Sequence, residues 1–219
     1  MWCIGKLTKQ YRRRMYKILD LYQLEYHSDY PVICMDEKSK QLIENTRKPI
    51  KMKAGQVLKE DYEYKRNGTK NLFVAVEPKA GKHIVQLTQT RTKKDFAHFI
   101  KRLTDEFYPK AKKITIVLDN LNTHFEKSII ETFCAKESER ILNKIKFCHT
   151  PVHASWLNMA EIEIGILERE CLNRRIANEK EMVDEIKAWT ESKNKRKMKI
   201  NWSFTKRDAY KKLSHKYVS

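Results

Sequence analysis

Two apolar runs, Val32-Ile33-Cys34-Met35 and Ile116-Val117-Leu118, are each closed by an acid, Asp36 and Asp119. Short unbroken apolar runs with β-branched members suit strands of a sheet covered on both faces. Side chains alternate along a strand, so Asp36 and Glu37 point to opposite faces, and one of them shares the face of Val32 and Cys34. A carboxylate near the interior is costly unless a positive group meets it. A chain that twice ends a buried strand on an acid therefore has to supply, or recruit, cations at one edge of its sheet.

The remaining periodicities set the order of elements. "YRRRMYKILDLY" places Met15, Ile18, Leu19 and Tyr22 at helical spacing, an amphipathic helix with a basic back. Residues 39–60 are polar and read as a loop or irregular hairpin, and Asn67-Gly68 is a reverse-turn signal. "LFVAVEP" (72–78) and "HIVQLTQ" (83–89) read as two strands joined by "KAGK". A helix over 93–108 carries Phe96, Phe99, Ile100 and Leu103 on its apolar stripe. Strands follow at 113–120 and 144–151, with helical sequence at 123–143 between them. Helices over 160–176 and about 180–195 close the pattern, the first with Ala160, Ile164, Leu167 and Cys171 on one face. This order predicts an α/β fold of the ribonuclease H-like kind: a mixed five-stranded sheet, three antiparallel strands and then parallel ones, with helices on both faces. Residues 1–30 form a basic helical lead-in, 31–180 the main domain, and 181–219 a basic helical extension packed on the same domain.

Charge narrows the partner. Lys and Arg number 46 against 28 acids, a formal charge of +18, which favours a polyanion, nucleic acid before an anionic membrane surface. No stretch has the apolar length of a membrane span, and the N-terminus lacks a signal-peptide core. The expected location is cytoplasmic and nucleoid-associated. Five scattered cysteines without a CxxC pair fit reduced structural thiols better than a disulfide framework. Cys148, His149 and His153 lack the second ligand pair that a zinc site needs.

If the two acid-tipped strands are neighbours, Asp36 and Asp119 face each other at the carboxyl edge of the sheet, where open α/β sheets place ligands. Like charges that close raise a pKa or recruit a cation, and hard divalent ions suit oxygen ligands. Taken singly, each Asp also fits a turn former after a strand. In "SWLNMAEIEIG", Asn158 stands before a helix with Glu161 three residues on, close to a capping box, and a first-turn carboxylate there also projects toward the sheet edge. Glu163 lies about 200° further round the helix and cannot share that role.

"PVICMDEKS", "YKRNGTKNLFVAVEPKAGK", "IVLDNLNTH" and "TPVHASWLNMAEIEIGIL" resemble, in order and spacing, the catalytic core of the IS630/Tc1/mariner transposases, and most of all the bacterial IS630 branch with its DDE endonuclease domain. The resemblance extends over roughly residues 2–213. It implies that Asp36, Asp119 and Glu161 are the catalytic, metal-holding acids, with Mg²⁺ or Mn²⁺ as a two-ion cofactor. His124, Asn120 and Asn158 become auxiliary residues. The partner implied is double-stranded DNA, transposon ends and target, bound by a homodimer that cleaves and rejoins strands. Expected phosphate contacts are Arg12, Arg13, Arg14, Lys65, Arg66, Arg174, Arg175, Lys195, Arg196 and Lys197. The family's N-terminal helix-turn-helix domain has no counterpart in this sequence, and the interval from Asp119 to Glu161 holds 41 residues, longer than is usual there. Two other readings fit the same residues: a DNA-binding relic without activity, and a nuclease that only hydrolyses.

Overall fold

A computed structural model describes residues 6–218. Five strands, β1 (Val32–Asn45), β2 (Tyr64–Glu77), β3 (Lys82–Thr88), β4 (Ile114–Leu118) and β5 (Ile145–His149), form one sheet in the order β3-β2-β1-β4-β5. The pairs β1–β2 and β2–β3 are antiparallel, and β1–β4 and β4–β5 are parallel. This is the ribonuclease H-like sheet that the element order predicts.

Strand alternation sorts the core into two layers. Ile33, Met35, Phe73 and Ala75 point to the face covered by α2 (Lys93–Arg102), α3 (Glu126–Thr132) and α4 (Ala135–Lys144). Cys34, Val74 and Val76 point to the face covered by α1 (Lys9–Gln23), α5 (Met159–Leu167), α6 (Glu179–Arg196) and α7 (Lys206–Leu213). The expected stripe of α1 is buried, Met15, Ile18 and Leu19 fully and Tyr22 nearly so. Cys34, Cys148 and Cys171 are buried thiols and Cys134 is exposed, while Cys3 lies outside the described residues. Burial pushes the Cys34 thiol up to about 12, far from reactivity. No helix among the described residues is long and apolar enough to cross a membrane.

Four boundaries differ from the sequence reading. β1 does not stop at Asp36; it runs on to Asn45, so Asp36 lies within a strand. β2 begins at Tyr64, and Asn67-Gly68 is not a reverse turn. Gln41 pairs with Thr69 and Ile43 with Arg66, so Asn67 and Gly68 together oppose Leu42 in a β-bulge. The positive φ that suits Asn-Gly to a hairpin serves the bulge equally, with Gly68 at φ +99°. The long helix expected over 160–176 ends as α5 at Leu167, continues as a wide turn through Leu172, and stops there. Beyond it the Ile176 carbonyl accepts the Ile43 N–H at 2.8 Å, spending on the bulged strand a group that a helix would have used. The helical stretch 123–143 is two helices, α3 and α4, parted by extended backbone at Phe133 and Cys134.

Candidate active site

Asp36 sits on the α1/α5 side of β1, beside the N-terminus of α5. Its Oδ1 accepts the Glu37 N–H at 2.7 Å and its Oδ2 accepts Asn158 Nδ2 at 3.2 Å. Asn158 is fully buried and its Nδ2 also donates to the Met35 carbonyl at 2.8 Å, while its Oδ1 caps the Ala160 N–H. One side chain thus ties the start of α5 to β1 and orients the acid. Burial raises the Asp36 carboxyl to about 7; the Glu37 N–H opposes this, and the negative charges of Asp119 and Glu161 add to it. The three acids therefore feel one another although they come from β1, the end of β4 and the first turn of α5.

Asp119 follows β4 directly. Its Oδ1 accepts both the Leu121 N–H at 3.0 Å and His124 Nδ1 at 2.6 Å, which leaves Oδ2 unengaged. Burial pushes its carboxyl up, but these two donors and the nearby His124 charge outweigh it and hold the acid below the usual range. His124 is itself fully buried, and its other nitrogen donates to Glu37 Oε1 at 3.0 Å. Burial alone would strip its proton; the two carboxylates instead raise it to about 9, so the ring is an imidazolium with both N–H groups spent. His149 Nε2 donates to the His124 carbonyl at 2.8 Å, and Phe96 packs on the His124 ring at 5.0 Å.

Glu37 is the residue that sequence reasoning missed. Alternation puts it on the Ile33/Met35 face, where its side chain is 3% exposed. The need for a positive group was posed for the Val32/Cys34 face, that of Asp36; on the opposite face Glu37 meets His124.

Glu161 is exposed at the rim of α5, whereas Glu163 is buried and accepts from His83 Nε2 at 2.8 Å. The helical separation of the two acids is therefore realised as one facing the sheet edge and one facing β3. Burial raises the Glu161 carboxyl, the Ser155 hydroxyl opposes, and the charge of Asp119 adds to the rise. Asn158 caps through Ala160, and the capping box considered for Glu161 does not form. Asn120 is held between Arg14, which donates to its Oδ1 at 2.9 Å, and the Thr150 carbonyl, which accepts its Nδ2 at 2.7 Å.

Among the described residues no three His, Cys, Asp or Glu side chains are gathered closely enough to hold a metal ion as they stand. The donor set nevertheless fits a hard divalent cation: oxygen ligands alone, a spare oxygen on Asp119, and an Asp36 whose proton affinity is raised by burial and further by two neighbouring acids.

The basic residues expected to meet phosphate divide. Arg13, Lys195, Arg196 and Lys197 are exposed. Arg12 lies over the Tyr217 ring, Arg66 over Tyr64, and Lys65 pairs with Glu44 at 3.5 Å. Arg174 is bound to Glu185, and Arg175 donates to Asn45 and to the Asp61 carbonyl, pinning the excursion between β1 and β2.

No curated protein matches the chain. Among solved structures it is similar to the Mos1 mariner paired-end complex with Mn, at 13% identity and a TM-score of 0.56, over 88% of this chain and 58% of that one. It is likewise similar to the Mos1 strand transfer complex and to the Mos1 paired-end complex with Mg, each at 14% identity and a TM-score of 0.57, over 90% of this chain and 60% of those. The chain thus spans less than two thirds of the Mos1 chains, and at such identity the likeness is one of fold. The model of the DDE superfamily endonuclease family matches residues 31–183, the sheet, Asp36, Asp119 and Glu161 together. With more than half of its length so matched, this chain belongs to the DDE superfamily endonucleases.

Proposed function

We propose that the chain is the catalytic domain of a transposase of the IS630/Tc1/mariner kind, cutting DNA strands and joining them with the aid of two Mg²⁺ or Mn²⁺ ions. The observation that supports this reading is that β1 and β4, which carry Asp36 and lead to Asp119, pair side by side, while Asn158 ties Asp36 to the start of the helix that bears Glu161, acids 83 and 42 residues apart in sequence. Asp36, Asp119 and Glu161 would hold the ions. When bound, the ions lower the pKa of an attacking water or DNA 3′-hydroxyl and neutralise the leaving oxygen.

The chain's own residues prepare that edge. Asn158 and the Glu37 N–H fix the Asp36 carboxylate, and His124 with the Leu121 N–H holds Oδ1 of Asp119, leaving Oδ2 without a hydrogen bond. His124 keeps its orientation because Glu37 receives its second N–H. Exposed cations, Arg13, Lys195 and Arg196 among them, would take the phosphates of duplex DNA at transposon ends and target. The Mos1 relatives are paired-end and strand transfer complexes, which supports a dimer on DNA.

The test is nicking of supercoiled plasmid with Mn²⁺, followed by strand transfer from pre-cleaved ends. Asp36→Asn, Asp119→Asn and Glu161→Gln are each expected to abolish both. Metal-dependent nicking that survives Asp36→Asn overturns the reading, and nicking without joining reduces it to a hydrolytic nuclease.

A further inference from the structure

The geometry points to a further DNA-binding surface, a lysine-lined groove at the end of the sheet opposite the three acids, which takes the phosphate backbone of duplex DNA. This inference rests on the reading of the chain as a DNA-processing enzyme and adds Lys79, Lys110 and Lys199, beside Lys197, to its phosphate contacts.

The groove is a cavity of about 660 Å³ between the β2–β3 turn, the segment that leads into β4, and the C-terminus of α6. Lys79, Lys82, Lys110, Lys197 and Lys199 line it. Lys82 is engaged, donating to the Phe107 carbonyl at 2.9 Å and lying 4.1 Å over the Tyr108 ring. Its acid, Glu77, is buried and accepts the Tyr108 hydroxyl at 3.0 Å, so the floor of the groove is internally paired. The nearby Asp29 is taken by Lys112 at 3.1 Å, and Lys79, Lys110, Lys197 and Lys199 have no carboxylate partner among the described residues. Four unpaired ammonium groups on one concave wall repel one another, and a polyanion relieves that repulsion.

The wall is rigid rather than a chance meeting of loops. Gly81, at φ +63°, lets the β2–β3 turn pass so close to α6 that a Cβ there would stand 2.5 Å from the Lys197 carbonyl carbon. Asn194 receives the His83 N–H at 2.7 Å and donates to the His83 carbonyl at 2.9 Å, and the Ile200 N–H donates to the Pro78 carbonyl at 2.9 Å. These contacts fix Lys79 relative to Lys199, and the Lys82–Phe107 bond ties the turn to the segment that carries Lys110.

Position sets the groove apart from the acids. The β2–β3 turn and residues 109–111 lie at the starts of β1 and β4, whereas Asp119 follows the end of β4. Five residues of strand separate the two ends, roughly 16 Å at the rise of a β-strand. That is about five base pairs of duplex, so DNA held at the acids can reach the groove as well.

The experiment measures binding of a 40-bp duplex by fluorescence anisotropy between 50 and 200 mM KCl, in EDTA so that cleavage plays no part. The full chain is compared with Lys79→Gln/Lys110→Gln/Lys199→Gln and with a charge-matched control, Lys94→Gln/Lys136→Gln/Lys180→Gln, whose three lysines are exposed on α2, α4 and α6. Lys197 is left alone because its left-handed backbone, φ +49°, would confuse folding with binding. Losing three phosphate contacts lowers the salt slope by about 2.7, so the affinity lost across that salt range shrinks about 40-fold. The control is expected to keep the slope of the unaltered chain. An unchanged slope in the groove variant, or an equal drop in both variants, overturns the proposal. A chain that shows the groove effect and never nicks DNA overturns the cleavage reading and leaves the groove standing.

Discussion

The buried pair of Glu37 and His124 makes a prediction whose size follows from its surroundings. The Glu37 side chain is 3% exposed, receives His124 Nε2 at 3.0 Å on Oε1, and has no partner for Oε2. His124→Phe keeps a ring against Phe96 and removes only the charge and the two donors. Glu37 is then a buried carboxylate without a cation, a situation that costs about 3–5 kcal/mol. For a chain of this length that is a fall in melting temperature of roughly 6–20 °C. Adding Glu37→Leu removes the stranded charge and packs an apolar side chain among Ile33, Met35 and Phe96. The double variant should recover most of the loss, with an interaction term of at least about 2 kcal/mol. The assay is urea unfolding followed by circular dichroism in EDTA, so that metal plays no part. A loss below about 1 kcal/mol in His124→Phe, or a double variant less stable than the single one, would refute the ion pair as the reason for this arrangement.

Three further outcomes are expected. Asp36→Asn should leave the metal-free chain as stable as before or up to about 1 kcal/mol more stable, because it relieves repulsion from Asp119 and Glu161, while nicking is lost; unfolding of this variant would mark Asp36 as structural. Gly81→Ala should cost about 2–4 kcal/mol in urea unfolding, from a positive φ and a close backbone contact together, whereas Gly68→Ala meets open space and should cost only the strain of its φ, about 1–2 kcal/mol. Burial raises the Glu77 carboxyl, so its contribution to stability is present below the ordinary glutamate range and is lost as pH rises through the raised value; Glu77→Gln should therefore be relatively more stable at pH 8 than at pH 4, and a pH-independent difference would contradict this.

Periodicity carried the architecture a long way. The apolar runs, the stripe Phe96-Phe99-Ile100-Leu103 and the face Met15-Ile18-Leu19-Tyr22 each depend on spacing along the chain, and burial follows spacing directly. The misread stretches, 39–45 and 64–71, fail for a physical reason. They are polar because the distal part of the β1–β2 ribbon is half-exposed, so they lack the apolar signal, and backbone pairing rather than composition holds them in register. Asn67-Gly68 reports a positive φ, and nothing local says whether that φ closes a turn or opens a bulge. The break after Leu172 has the same origin, since the competing partner of the Ile176 carbonyl is Ile43, more than a hundred residues earlier.

Local chemistry, written in the order of the residues, determined that this chain has two acid-tipped buried strands, a third acid in the first turn of a helix, and a large basic excess. Which acid meets which cation is a matter of distance through space, and no spacing along the chain encodes it. Only the folded sheet sets Glu37 against His124 and lets His124 hold Asp119, because the pleat sends neighbouring side chains to opposite faces and the β1–β4 pairing decides what waits on each. The same folding gathers Lys79, Lys110 and Lys199, from three separate segments, into one wall whose charge no single segment displays.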